Sequence, residues 1–235
     1  MKYIPLTAVL GLCLAVSAGA QGVLTLNFAS TPGSTIQFNG SDSSFQFNSS
    51  SSSIFGGVFN GTQWQIGSQT GGTGAATGLL GWFNNGPFNY GPINTVISGS
   101  SISQYANVTS PTGGLLVNDG SGFNLTGNIN WAQVSTHDFA GAINAALTVN
   151  ITGLTYAGIN PDLQTFAANG PGALNLTFQF SPGMTLADLS SGSGPYRTSY
   201  SGSLAVVPEP TSISCLGLGL GVLALVRKVK KNQSH

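Results

Sequence analysis

Few side chains in the central part of this sequence are suited to acid–base or nucleophilic chemistry. Between residues 21 and 207 there is a single histidine, His137, and Asp138 follows it directly. A serine or cysteine hydrolase needs a nucleophile beside a histidine that a carboxylate orients. Adjacent side chains on a strand leave opposite faces, so Asp138 is poorly placed to orient His137. No Gly-x-Ser-x-Gly elbow occurs either, and we predict that His137 is a surface residue.

The aspartates of this region are more typical of turns and helix caps than of a catalytic site. Glycoside hydrolysis needs two opposed carboxyl groups, and no glutamate precedes Glu209. Residues 118–122 resemble part of a calcium loop but lack its further acidic ligands, so we favour an Asp-Gly turn leading into a strand at Phe123. We therefore predict no catalytic residue, no metal site and no cofactor. The charged residues concerned are Asp42, Asp119, Asp138, Asp162, Asp188 and Arg197.

One aromatic segment is the best candidate for ligand contact. Residues 82–90 are rich in Gly and Asn and contain Trp82 and Tyr90. Exposed aromatic rings in loops are typical of binding surfaces, so these two residues are candidate carbohydrate contacts. Packing that anchors the loop is the alternative. By contrast, Trp64 and Trp131 alternate with polar residues on predicted strands, and we expect both in the core.

The composition excludes several functional classes. The chain has 235 residues, of which 41% are hydrophobic and 5% charged, with a formal net charge of zero. A charged fraction of about 25% is usual, so an ordinary cytosolic enzyme surface is excluded. Six Lys and Arg residues in all leave no basic face for a phosphate backbone, and we predict no nucleic-acid partner.

Period-two alternation of apolar and polar residues predicts an all-β domain over residues 21–207. One polar and one buried face in each strand favour an antiparallel, jelly-roll-like β-sandwich. Asn160 as N-cap and Pro161 as first helical residue predict one short helix, to about Ala168. The predicted strands are 24–28, 35–38, 44–47, 63–66, 123–131, 147–152, 174–180 and 196–206, with a hairpin between the second and third.

The first 20 residues have the three-part pattern of a secretory signal peptide. Lys2 precedes an apolar run over residues 4–16, and Ala18 and Ala20 supply the small side chains that signal peptidase accepts. We therefore predict a signal helix over residues 1–20, with cleavage after Ala20.

Residues 208–235 combine three features that predict insertion into a membrane. The motif Pro208, Glu209, Pro210 interrupts regular structure, because proline fixes φ and lacks an N–H. An uncharged stretch follows, whose apolar part, residues 213–226, is shorter than the about 20 residues that span a bilayer comfortably. Thr211 and Ser212 can extend it and the lysines can snorkel, so we predict a transmembrane helix over residues 211–226. The basic tail, residues 227–231, is predicted to remain cytoplasmic as an anchor, through Arg227, Lys228, Lys230 and Lys231.

This C-terminal arrangement closely resembles the PEP-CTERM sorting signal of exported bacterial proteins. The resemblance covers residues 208–235 and has all three parts in order, although four residues follow Lys231 where the basic cluster usually ends the chain. It implies recognition by an exosortase, a membrane-embedded transpeptidase-like enzyme that cuts near the motif. It also implies a Gram-negative source that makes exopolysaccharide.

Together, these features predict a non-enzymatic structural protein of the cell surface or of an extracellular, biofilm-type matrix. Its predicted partners are signal peptidase, an exosortase and, transiently, the inner membrane. A carbohydrate-binding module for exopolysaccharide is the alternative, with Trp82 and Tyr90 as the sugar contacts.

Overall fold

The computed structural model describes residues 23–48, 62–84, 86–110, 112–139 and 142–206. The predicted signal peptide (1–20) and the predicted sorting segment (208–235) lie outside these residues. Among the helices of the described residues, none has the length and apolar character needed to cross a membrane.

Strands make up most of the described chain. The first seven are β1 (Thr25–Ser30), β2 (Thr35–Phe38), β3 (Ser44–Asn48), β4 (Gln63–Thr70), β5 (Leu80–Phe83), β6 (Phe88–Asn89) and β7 (Asn94–Ser98). The next seven are β8 (Ser101–Asn107), β9 (Thr112–Asn118), β10 (Asn124–Phe139), β11 (Ala142–Thr155), β12 (Gly172–Phe178), β13 (Tyr196–Thr198) and β14 (Tyr200–Val206). Helices are short: a 3-10 turn over Gly40–Asp42, α1 (Pro161–Ala168) and α2 (Leu186–Ser191).

Eight strands close into an antiparallel barrel, in the order β1-β4-β5-β9-β10-β11-β12-β14 and back to β1. The predicted all-β, antiparallel class is confirmed, whereas the two-sheet, jelly-roll-like sandwich is not. Closure depends on β10, which pairs with β9 on one edge and with β11 on the other. Strands of sandwiches and of barrels share the same alternation of buried and exposed side chains, so the sequence pattern does not separate the two.

Two further strands extend the sheet beyond the ring. Strand β8 pairs with the second half of β10, and β7 pairs with β8 as a hairpin. Helix α2 packs against one face of this extension and is tied to it by its first turn. The Leu186 amide donates to Thr136 Oγ1 (3.0 Å), and the Ala187 amide donates to Gln104 Oε1 (2.8 Å).

A small sheet, in the order β13-β2-β3-β6, covers one end of the barrel with aromatic side chains. Phe47 on β3 lies 5.2 Å from Trp131 on β10 and 5.6 Å from Tyr200 on β14, measured between ring centroids. Phe83, the last residue of β5, is 5.3 Å from Phe47. Because these rings are buried at the strand ends that meet there, one continuous core joins the barrel and the small sheet.

The opposite end of the barrel is closed by α1 and by the loop after β4. Leu163 and Phe166 of α1 are fully buried, as is Ala76 in the loop. The first and last described strands meet at this same end, where the Val206 amide donates to the Leu24 carbonyl (3.2 Å). The described chain therefore enters and leaves the barrel side by side.

Most predicted elements are found close to their predicted positions. The β2–β3 hairpin is confirmed, as are the helix from Pro161 to Ala168 and the complete burial of Trp64 and Trp131. The predicted strand over 196–206 is in fact two strands, β13 and β14, which belong to different sheets. Phe123 is a second correction: it precedes β10 and is 47% exposed.

Gly81 provides a test of the packing inside the barrel. A Cβ at this position would overlap the indole ring of the fully buried Trp64. Because overpacking a rigid core costs about 1–3 kcal/mol, Gly81→Ala should lower the free energy of unfolding by that amount, measured by urea denaturation. The matched control is Gly67→Ala, since a Cβ at Gly67 meets nothing within 4 Å. Equal stability of the two variants would contradict the described packing.

Candidate functional site

His137 lies on β10 with its side chain exposed, as predicted for a surface residue. Its Nδ1 is 2.5 Å from Ser103 Oγ, because Ser103 on β8 is the register partner of His137. The pair stands on the outer face of a sheet, where the surrounding described residues neither enclose a substrate nor organise donors for a developing oxyanion. Asp138 follows along the strand and its side chain leaves the other face. The geometry thus favours a structural role for the Ser103–His137 contact, as a cross-strand hydrogen bond, over a role for Ser103 as a catalytic nucleophile.

The Asp162 side chain stabilises the end of the barrel that α1 closes. The side chain is 1% exposed and accepts hydrogen bonds from the Thr73 amide (2.7 Å), Thr73 Oγ1 (3.1 Å), Gln69 Nε2 (3.1 Å) and the Ala76 amide (3.2 Å). Burial acts to raise the pKa of this carboxyl, but the hydrogen bonds outweigh burial and the pKa is lowered. The carboxylate is therefore ionised and ties α1 to the loop after β4.

Asp119 organises the turn between β9 and β10, as the Asp-Gly sequence predicts. Its Oδ1 accepts from the Ser121 amide (2.7 Å) and the Phe123 amide (3.0 Å), and its Oδ2 accepts from the Tyr156 hydroxyl (2.7 Å). Burial acts to raise the pKa of Asp119, yet the Tyr156 and backbone donors lower it overall. Tyr156 Oη in turn accepts from the Asn160 amide (3.0 Å), which links this turn to the N-terminus of α1.

Asp188 also serves a local structure. It forms a reciprocal capping box with Thr185 at the start of α2, in which each side chain bonds the other residue's backbone amide. In the part of the chain that the structure describes, no group of three or more His, Cys, Asp or Glu side chains comes together to hold a metal ion. The carboxylates of Asp119, Asp162 and Asp188 thus accept hydrogen bonds that stabilise a turn, a helix-to-loop contact and a helix cap.

The expectation of exposed aromatic rings at Trp82 and Tyr90 is wrong. Trp82 is 3% exposed and Tyr90 is 4% exposed, so neither offers a ring face to a sugar. Tyr90 packs near Phe38, and its hydroxyl lies 2.8 Å from Ser190 Oγ on α2. Burial raises the pKa of Tyr90, partly offset by that hydrogen bond. Tyr90 belongs to the continuous hydrophobic core, so the anchoring alternative describes it. Trp82 is buried as well, but on the face of β5 opposite to Phe83, whose ring lies in that core.

The described residues do form a groove, on the outer wall of the barrel where β9, β10 and β11 meet. We call it the β9–β10 groove; its volume is about 460 Å³. None of the described residues that line it is titratable, so these residues supply no acid–base pair. It is lined by Asn84, Thr112, Gly113, Gly114, Thr126, Gly127, Asn128 and Gly153.

The wall of the β9–β10 groove is held by backbone and amide contacts. Asn84 Oδ1 accepts from the Gly114 amide (2.7 Å), and the Asn84 amide donates to the Gly114 carbonyl (3.2 Å). Gly113 is required here, since a Cβ would lie 2.8 Å from Asn84 Oδ1 and 3.0 Å from Trp131 Nε1. Trp131 Nε1 is buried without a hydrogen-bond partner among the described residues. The floor of the groove therefore packs directly against the buried core residue Trp131.

Sequence reasoning missed the β9–β10 groove. The sequence feature that could have indicated this groove is the glycine content of strands β9 and β10, because glycine inside a strand often marks a bulge or a close approach of backbone. The register of β10 against β11 does shift between Thr126 and Asn128, where Gly127 stands. Neutral amides, hydroxyls and exposed backbone are suited to hydrogen bonding with an uncharged, hydroxyl-rich ligand.

Comparison of the chain with family models, with curated proteins and with solved structures finds no match. The predicted sorting motif, Pro208, Glu209 and Pro210, and the predicted basic anchor, Arg227, Lys228, Lys230 and Lys231, lie outside the described residues.

The Asp162 network predicts acid-sensitive stability. Because the folded pKa of Asp162 is lowered, its contribution is complete above the unfolded value of about 3.9 and is lost as pH falls through the folded value. Asp162→Asn should cost about 1–3 kcal/mol at pH 7, since an amide leaves buried donors unpaired. Urea unfolding measured between pH 7 and pH 2 should show this difference shrinking with acid. Asp42→Asn, at an exposed position, is the control, and a pH-independent difference would contradict this role of Asp162.

Proposed function

We propose that the chain is an exported, non-enzymatic structural protein of the cell surface or extracellular matrix, and a substrate of an exosortase. The observation that carries the proposal is the ordered arrangement after the barrel: a Pro-Glu-Pro motif, an uncharged apolar stretch over 211–226 and a basic cluster over 227–231. This order of features suits a segment that enters a bilayer, since its apolar residues enter the hydrocarbon while its lysines and arginines stay on the cytoplasmic side.

The geometry of the described domain supports this role. The barrel ends at Val206, two residues before the motif, and the Val206 amide is bonded to Leu24 near the predicted signal-peptide junction. Both proposed targeting segments thus adjoin one end of a single closed domain. Once folded, such a domain can be held at a membrane and released without any rearrangement of its core.

The engagement of the carboxylates supports a non-enzymatic role. Asp119, Asp162 and Asp188 accept hydrogen bonds that fix a turn, a helix-to-loop contact and a helix cap. The β9–β10 groove offers amides and hydroxyls instead of an acid–base pair.

A carbohydrate-binding role is the second candidate, and the β9–β10 groove is the observation that favours it. Its neutral hydrogen-bonding lining matches an uncharged stretch of polysaccharide, which carries many hydroxyl groups and no formal charge. Asn128 and Thr112 supply side-chain hydrogen-bonding groups on the strands that frame it. In this version the sugar contacts are groove residues and not the buried Trp82 and Tyr90.

Processing of the two ends tests the main proposal. The full chain is expressed in a Gram-negative host with its own exosortase, and the exported protein is measured by intact mass. The expected product begins at Gln21 and lacks the residues beyond the motif. Replacing Pro208, Glu209 and Pro210 by Ala should leave the tail attached, whereas the control Thr211→Ala with Ser212→Ala should be processed. Intracellular protein with both ends uncut would contradict the proposal.

Binding to the host's purified exopolysaccharide tests the second candidate. Asn128→Ala with Thr112→Ala should weaken binding about tenfold or more, since two or three lost hydrogen bonds of about 0.5–1.5 kcal/mol each act together. Asn175→Ala, an exposed strand position on β12, is the matched control. Dissociation constants are read from affinity electrophoresis. Equal affinity of all three proteins would exclude the groove as the sugar site.

A further inference from the structure

Strand β7 is an open edge of the main sheet. It stands at the end of the strand order, and within the described ranges its outer side pairs with no other strand. All five of its residues, Asn94–Ser98, are exposed. The other open edges that the structure describes are shorter: β13 has three residues and β6 has two. The β7 edge is therefore the main place where this fold can accept another strand.

The β7 edge lacks the devices that usually prevent strand addition. Soluble proteins protect free edges with charged side chains, prolines or bulges. Residues 94–107, which form β7, its turn and β8, contain no charged residue and no proline, and the β7–β8 register runs without a shift. Three of the six large apolar side chains that are exposed among the described residues lie here: Val96 (50%), Ile97 (70%) and Ile102 (36%).

The turn of the hairpin decides which backbone groups face outward. Ser98 and Ser101 flank a two-residue turn, Gly99 and Ser100, and form the closing, hydrogen-bonded pair of the hairpin. Hydrogen-bonded and non-bonded pairs alternate along an antiparallel ladder. Ser98, Val96 and Asn94 therefore bond to β8, whereas the N–H and C=O groups of Thr95 and Ile97 point away from the sheet.

We propose that β7 pairs antiparallel with β7 of a second copy of the chain, about a two-fold axis at Val96. This register places Thr95 opposite Ile97 of the second copy, and Ile97 opposite Thr95 of the second copy. All outward backbone groups of the two residues are then hydrogen-bonded. The two Val96 side chains meet at the axis as a non-hydrogen-bonded pair, with their Cα atoms about 4.5 Å apart.

The chemistry of the edge favours an identical strand as the occupant. Residues 94–98 carry no charge, so two copies approach without like-charge repulsion. The outward backbone groups belong to Thr95 and Ile97, which lie symmetrically about Val96, so the edge is complementary to a second copy of itself. A two-fold contact of this kind closes on itself and yields a dimer. The inference does not depend on the destination proposed above, since it concerns the purified chain alone.

Charge exchange at Val96 tests this pairing. The full chain is purified in mild detergent, and its mass is measured by light scattering at about 50 μM for Val96→Lys, Val96→Glu, their equimolar mixture and the unchanged chain. The unchanged chain and the mixture should be dimeric, whereas each variant alone should be monomeric because like charges meet at the axis. Val96 is half exposed, so thermal unfolding of the variants should match that of the unchanged chain.

Disulfide trapping gives a second readout that does not depend on charge. In a chain with Cys13→Ser and Cys215→Ser, Val96→Cys should form a covalent dimer on mild oxidation, because the pair distance lies within disulfide range. Ile97→Cys is the control, since its side chain lies on the other face and opposite Thr95 of the second copy. A monomeric unchanged chain, dimerisation of both charged variants alone, or equal trapping at both cysteines would overturn the proposal.

Discussion

The two-sided pairing of β10 is the constraint on which the rest of the structure depends. Along its first half this strand bonds to β9 on one edge and to β11 on the other, which converts a row of hairpins into a closed ring. Between Trp131 and Gln133 the register against β11 shifts, and beyond that point β8 replaces β9 as partner. The change of partner from β9 to β8 at this bulge begins the extension that carries β7.

Closure also explains how a domain with almost no charge maintains a defined core. Every ring strand has a partner on both sides, so backbone groups are satisfied by the ladder and the interior needs only apolar side chains. Aromatic contacts then join the ring to the small sheet through Phe47, Phe83 and Trp131. Asp119 and Asp162 lie at the α1 end of the barrel, where loops and the helix leave amides without strand partners.

Local patterns predict local structure well in this chain and long-range pairing poorly. The alternation at residues 35–38 and 44–47 predicts the β2–β3 hairpin, and Asn160 followed by Pro161 predicts α1, because both depend on neighbouring residues. Ring closure depends on β10 meeting β11 and β9 together, which alternation does not encode. Trp82 shows the same limit at the candidate site. Its Gly/Asn-rich surroundings predict a loop with an exposed ring, but residue 82 lies in β5 between β4 and β9, and its side chain is 3% exposed.

The position of β14 has a mechanical consequence. This strand lies between β12 and β1, and its last residue is where the described chain leaves the barrel. If the domain is tethered beyond Val206 and loaded at the opposite, aromatic-capped end, the pull runs along β14. Both ladders are then sheared at once, so their hydrogen bonds share the force, whereas a strand peeled from an edge would lose them one by one. The fold therefore resists tension best in the direction in which an anchored molecule would feel flow.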